Sequence, residues 1–190
     1  MGVAVTLAGI AEAKTFRYAT TGDVLGLDPH ANNEGPTNTM KGNLYGRLLH
    51  RKADLSLEPD LATKWEKLDA TTWRFSLRQG VKFHNGNAFN ADDVVFSYNR
   101  QTQESSDMSF ALATVKEVRK VDDHTVDIIT KGPDPILLLN MPIFYIVDKE
   151  WTEANNAFEV VRASGSTNFA NVNANGTGPF KLVEWVQDTR

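Results

Sequence analysis

Four histidines, two adjacent aspartates and a Gly-x-Gly near the C-terminal end are the residues whose types could do chemistry. His30, His50, His84 and His124 could ligate a metal, yet none stands four residues from another on a helical pattern. No carboxylate lies at a ligand-like spacing from them, so the sequence assembles no metal site. Asp92 and Asp93 have the composition of a general acid and base. Neighbours on a helix project about 100° apart, whereas an acid–base pair must face one substrate. Stabilisation of a helix N-terminus therefore accounts for them better. Gly176-Thr177-Gly178 is followed by Pro179 and an alternating run, not by the helix start that a phosphate cradle needs, so the glycines are expected to permit a tight crossover. No G-x-S-x-G elbow occurs, and Ser164-Gly165-Ser166 has no base nearby. Cysteine is absent, which excludes thiolate nucleophiles, disulfides and Cys-based zinc sites. The 20 lysines and arginines are dispersed in a chain of net charge −4, so no footprint for nucleic acid is expected. The residues point away from an enzyme: no catalytic residue, cofactor or metal is expected.

The elements that would position these groups are a mixed α+β set. Residues 59–100 carry the strongest pattern. Trp73, Phe75 and Leu77 alternate with Arg74, Ser76 and Arg78, as a strand with one buried face requires. Gln79-Gly80 turns the chain, Val81 and Phe83 resume the alternation as a short strand, and Asn85-Gly86 supplies a second turn. Asn90 then caps a helix with Asp92 and Asp93 in its first turn. Upstream, residues 15–21 read as a strand and 24–36 as an ordered loop. A helix from position 37 places Met40, Leu44, Tyr45, Leu48 and Leu49 on one stripe, and residues 53–58 read as a turn and short strand. Downstream, residues 101–107 form a loop, and residues 115–121 and 125–130 flank Asp122-Asp123-His124 as an antiparallel hairpin with Val126 and Ile128 inward. Pro135 suits the first turn of a helix through Met141. Residues 143–147 read as a buried strand. A helix from Asp148 carries Trp151, Ala154, Phe158 and Val161, residues 164–175 form a loop, and 179–186 a final strand.

Residues 3–10 are short and mostly apolar, and Ala11-Glu12-Ala13 is an A-x-A cleavage pattern. Residues 1–13 are therefore expected to be part of a secretory signal peptide. No run approaches the roughly 18 apolar residues of a membrane-spanning helix, so no direct membrane insertion is expected.

The run LRQGVKFHNGNAFNADDVVFSYNR closely resembles the signature of the family 5 extracellular solute-binding proteins, the dipeptide, oligopeptide and nickel-binding receptors of bacterial ABC importers. Leu27-Asp28-Pro29, Leu44-Tyr45, Leu48-Leu49, Pro59-Asp60-Leu61-Ala62 with Trp65, and Gly176-Thr177-Gly178-Pro179-Phe180 extend the likeness over residues 15–186. The resemblance implies an α/β fold of the periplasmic binding protein class II. It implies lobe I only, with the small subdomain peculiar to the peptide-binding family, as an N-terminal fragment whose second lobe would follow Arg190. The implied division is a partial signal peptide over 1–13, a first sheet segment over 14–39, an inserted small subdomain over 40–175 and a return to the sheet over 176–190. Its implied role is capture of a peptide or similar small solute in the periplasm and delivery to a permease in the inner membrane, by a monomer. Ligand contacts would come from Asp28, His30, Asn32 and Asn33 in the early loop, and from a wall of Met108, Phe110, Met141 and Phe144, although plain core suits the second group as well. Other solutes of the same class would be a nickel chelate, an oligosaccharide or an opine. Two readings from other classes are a periplasmic hydrolase, which predicts turnover, and a module that docks on a permease without enclosing a ligand.

Overall fold

Alternation of Trp73, Phe75 and Leu77 with Arg74 and Ser76 produces a strand, and the sheet built on it organises the computed structural model, which describes residues 22–162 and 167–187. In chain order the elements are α1 (Gly35–Leu44), β1 (Leu49–Arg51), β2 (Leu57–Pro59), β3 (Ala62–Lys67), β4 (Thr72–Leu77), α2 (Ala91–Gln101), β5 (Val115–Asp122), β6 (Thr125–Thr130), α3 (Leu137–Asn140), α4 (Lys149–Ala154) and α5 (Phe169–Val172). Strands β3, β4, β6 and β5, in that spatial order, make an antiparallel sheet, and β1 and β2 pair separately. Phe75 lies opposite Trp65 and Val126, and Ile128 opposite Trp73 and Val118, so one face is apolar and packs against α2. On the other face Glu66, Arg74, Asp127 and Arg119 form a row of alternating charge across all four strands. Arg74 Nε and Arg119 Nη2 donate to the buried Asp127 carboxylate at 2.7 and 3.0 Å, which holds its pKa below the usual range. The hairpin between β5 and β6 folds as expected, with Val126 and Ile128 fully buried.

Helix α2 begins where Asn90 and Asp93 specify. The Asn90 side chain accepts from Asp92 N at 2.7 Å, and Asp93 Oδ2 accepts from Asn90 N at 2.9 Å, a reciprocal capping box. Asp93 Oδ1 also accepts from Lys149 N at 2.9 Å, so the carboxylate is buried between two helix starts. Burial, reinforced by the nearby Asp148 and Asp92 charges, raises its pKa from 3.8 to about 6. A carboxyl whose folded pKa is raised contributes stability that is present below its unfolded value of 3.8 and lost as pH rises through about 6. The stability of the parent relative to Asp93→Asn is therefore expected to fall by about 2–3 kcal/mol between pH 4 and pH 7, measured by urea unfolding across that range.

The buried face of α2 is polar as well as apolar, and this changes several expected elements. Val147 N donates to Ser97 Oγ at 2.9 Å, and Gln101 Nε2 donates to the carbonyls of Ile143 and Met108 at 3.2 Å each. Residues 143–147, expected as a strand, form no ladder beyond a single bridge between Tyr145 and Arg47: α2 side chains bond the Ile143 carbonyl and both backbone groups of Val147, His30 takes the Tyr145 carbonyl, and Phe144 N turns back to the Met141 carbonyl. The expected helix from position 37 is instead α1, which starts two residues earlier, with Glu34 as its cap and Pro36 in its first turn. It stops at Leu44 because Tyr45 turns extended, and Leu49 enters β1. Val81 and Phe83 form no strand. Only Lys82 and Ala88 bridge, across a turn where Gly86 takes φ +100°. Pro135 lies before α3, not inside it, and α3 passes at Met141 into a 3-10 turn. Helix α4 ends at Ala154, since Asn156 takes φ +51°, so Phe158 is not part of it. The loop expected over 164–175 contains the short α5, capped by Asn168. Residues 179–186 pair with no strand among the described residues, and Val183 is 97% exposed. Strand β3 was not expected as a strand at all. The expected signal peptide and the strand over 15–21 lie outside the described residues.

Candidate functional site

The early loop, residues 22–34, carries the polar residues that sequence marks as ligand candidates, and the structure shows what holds it. Arg100, in the last turn of α2, lies under the loop with its side chain 1% exposed. Its Nη1 and Nη2 donate to Asp28 Oδ1 and Oδ2 at 2.8 and 2.6 Å, a bidentate fork. Nη1 also donates to His30 Nδ1 at 3.0 Å, so the His30 proton sits on Nε2, which donates to the Tyr145 carbonyl at 2.9 Å. Arg100 Nε donates to the Ala157 carbonyl at 3.0 Å. Burial and then the Arg100 charge push the His30 pKa down to about 3, so the ring is neutral. For Asp28, burial pushes upward but the Arg100 charge and hydrogen bonds outweigh it, and its pKa lies below the usual carboxylate range.

Further along, Ser106 Oγ donates to the His30 carbonyl at 2.7 Å and Asp107 N to the Ala31 carbonyl at 3.3 Å. The buried Lys41 ammonium donates to the Asn32 carbonyl and, at 3.3 Å, to Asn38 Oδ1. Burial lowers the Lys41 pKa to about 8. Tyr45 Oη donates to the Leu27 carbonyl at 3.1 Å. Val24 and Leu27 pack with Tyr45, Phe96, Met108 and Tyr145 in an apolar cluster separate from the main core. The loop is thus pinned from Leu27 to Asn32, while Gly22 and Leu25 are exposed at its front.

A second polar centre fastens the Gly176-x-Gly178 crossover. Asp148 Oδ2 accepts from Asn85, Asn87 and Asn175 Nδ2 at 2.9, 2.9 and 2.8 Å, while Oδ1 accepts from Trp151 N at 3.0 Å and caps α4. His84 reaches the same crossover: its N donates to the Gly176 carbonyl at 2.9 Å, and its Nε2 donates to the Gly178 carbonyl at 2.9 Å. These partners of His84 are more than ninety positions away in the sequence. The crossover is tight because it runs against the end of α1. Gly178 N donates to the Leu44 carbonyl at 3.0 Å, and a Cβ at Gly178 would stand 2.5 Å from the Asn43 oxygen. Since both neighbours are backbone, Gly178→Ala is expected to lower unfolding free energy by about 1–3 kcal/mol in denaturant titrations.

These placements redistribute the sequence-marked residues. Asp28 and His30 are buried below the loop, where the Arg100 fork and the Tyr145 carbonyl take their side-chain polar atoms, so they anchor the loop from beneath. Asn32 is buried and Asn33 is exposed, its Oδ1 accepting from Asn38 Nδ2 at 2.8 Å. Met108 joins the cluster beneath the early loop, whereas Met141 and Phe144 are fully buried in the main core with Leu137 and Ile146. Phe110 is 54% exposed beside Tyr98, Lys116 and Lys131. The four do not form one wall. Sequence reasoning overlooked Arg100, Lys41 and Asp148. One signal was available, since Ser97, Arg100 and Gln101 recur at spacings of three and four with Asp93 on the stripe that α2 buries. Among the described residues, no cluster of three metal-ligating side chains forms and no helix is long and apolar enough to cross a membrane.

Comparison with known proteins places this arrangement. The model of the bacterial extracellular solute-binding proteins, family 5 middle region, matches residues 56–190. The chain is 32% identical to the dipeptide-binding protein of Escherichia coli K12 over 99% of its own length and 38% of the relative's. It is also 32% identical to heme-binding protein A of Haemophilus influenzae, over 92% of its length and 35% of the relative's. Among solved structures, the periplasmic binding protein DppA of Helicobacter pylori in complex with the peptide STSA superposes with a TM-score of 0.76 at 27% identity, over 88% of this chain and 36% of that one. The chain thus spans rather more than a third of the length of the relatives it matches. The family is one of transport receptors and not of enzymes. By its fold, its motifs and the extent of the match, the chain belongs to the bacterial extracellular solute-binding proteins of family 5.

Proposed function

We propose that the polypeptide carrying this chain is the substrate-binding component of an ABC importer, which captures a peptide or similar small solute in the periplasm and delivers it to an inner-membrane permease. The observation that carries this reading is family membership together with 32% identity to a dipeptide-binding protein across 99% of the chain. The chain would supply one side of a cleft: residues 14–39 and 176–190 contribute to the sheet subdomain of lobe I, and 40–175 form the small subdomain. The ligand would meet the exposed front of the early loop, with Asn33 and Leu25, and the polar anchors behind it would hold that surface in place. Its mode of action is enclosure between two lobes that close about a hinge, without turnover and as an exported monomer.

A cleft receptor derives its affinity from contact on both sides of the ligand. Calorimetric titration of the isolated 190-residue chain with mixed di- and tripeptides is therefore expected to show weak binding or none, and micromolar binding would refute the one-sided reading. The longest natural polypeptide carrying the sequence is expected to co-purify with peptide detectable by native mass spectrometry. A tetrapyrrole or metal chelate in its place would overturn the peptide assignment while leaving the receptor role intact.

A further inference from the structure

We propose that Arg100, which lies beneath the early loop and does not contact solute, is the positioning residue of the ligand-binding site, holding the loop in the single conformation that a ligand can use. This inference rests on the reading that the early loop borders the ligand cleft.

The geometry supports it in three ways. Arg100 joins segments that have no ladder between them: its guanidinium bridges Asp28 and His30 of the early loop to the Ala157 carbonyl, while His30 passes the connection on to the Tyr145 carbonyl. The Asp28 carboxylate in turn orders the loop backbone, since Oδ1 accepts from His30 N at 3.0 Å, beside a backbone turn in which Ala31 N donates to the Asp28 carbonyl at 3.4 Å. The same assembly reaches Met108, because Ser106 Oγ donates to the His30 carbonyl and accepts from Met108 N at 3.1 Å. Among the described residues, residues 22–34 belong to no strand, so side-chain anchors perform the task that sheet hydrogen bonds perform elsewhere. Arginine is required for this because a planar fork makes several directed bonds at once, whereas lysine offers a point charge that can satisfy Asp28 but not Asp28, His30 and Ala157 together.

If binding needs the ordered loop, the apparent dissociation constant is the intrinsic one divided by the ordered fraction. Two variants of the longest natural polypeptide separate positioning from simple destabilisation, Arg100→Lys and Arg100→Gln, each assayed well below its own melting temperature. Backbone amide exchange is followed at His30 and Ala31, with Ile128 in β6 as the control. Affinity is followed by calorimetry with dialanine and trialanine as probes. In Arg100→Lys the dissociation constant is expected to rise at least tenfold, which by this relation leaves the loop ordered less than about a tenth of the time, so exchange at His30 and Ala31 is expected to approach that of unprotected amides while Ile128 is unchanged. Arg100→Gln should exceed it in both. A folded Arg100→Lys protein whose His30 and Ala31 amides have lost their protection yet which binds with parental affinity would overturn the proposal, as would unchanged exchange at His30 and Ala31. If the parent binds neither probe, the peptide reading fails, and the exchange measurement alone then decides whether Arg100 orders the loop.

Discussion

Arg100→Met is expected to lower the unfolding free energy by about 3–5 kcal/mol, the range for breaking a buried ion pair by removing one partner. Both side chains of the pair are essentially inaccessible, Arg100 at 1% and Asp28 at 0%, so the loss leaves a carboxylate in a site that water does not reach. It also removes donors to His30 Nδ1 and the Ala157 carbonyl. The double replacement Arg100→Met with Asp28→Leu should cost markedly less than the sum of the two single changes, because no uncompensated charge then remains. Acid provides a second check with a definite sign. In the parent the Asp28 pKa is held below its ordinary value of 3.8, so the stability it contributes is present above that value and lost as pH falls through the lowered folded value. In Arg100→Met burial acts on Asp28 without the opposing cation, so its pKa rises and the deficit relative to the parent should shrink on acidification. Urea unfolding of both proteins from pH 7 downward measures this. A deficit independent of pH would mean that the carboxylate does not carry the effect.

Asp148→Ala is expected to cost a comparable amount, about 3–5 kcal/mol, from a lost N-cap and three asparagine amides left without their charged acceptor. The four bonds to this carboxylate come from Asn85, Asn87, Asn175 and Trp151, so one substitution releases the turn after Phe83, the crossover and the start of α4 together. Asp148→Asn should cost less. Turning its carbonyl toward the three amides preserves those bonds as neutral ones and sacrifices the bond to Trp151 N. The two variants can be compared by thermal unfolding and by amide exchange. In Asp148→Ala, exchange should quicken at His84 N and Gly178 N, which bond the Gly176 and Leu44 carbonyls, while amides of β4 and β6 serve as the reference. Equal exchange at both sets would show that Asp148 stabilises the whole molecule and does not fasten the crossover.

The two anchors also account for the residues of the family signature. In the run from Leu77 to Arg100, His84, Asn85 and Asn87 clasp the crossover, Asn90 and Asp93 start α2, and Arg100 holds the early loop. In this chain the motif is a set of connectors that tie distant segments to one helix and one turn.

Sequence alone sufficed for the features whose causes lie within a few positions: strands β4, β5 and β6 from alternation, the turns at Gly80 and Gly86 from their tolerance of positive φ, the start of α2 from its capping pair, and family membership from the motif. Tertiary structure alone supplied what depends on remote partners. Asp28 and Arg100 are 72 positions apart, and His84 and Gly178 are 94 apart, so no local pattern announces that either pair meets. The same cause explains the misread elements. Residues 143–147 and 179–186 have strand-like patterns, but a strand is completed by a neighbouring strand: the first meets one bridge to Arg47 and otherwise bonds to side chains of α2, to His30 and to loop backbone, while the second has no ladder partner among the described residues. For the candidate site this decides the roles: Asp28 and His30 look like ligand contacts as types in a polar loop, and only the position of Arg100 beneath them turns them into its anchor.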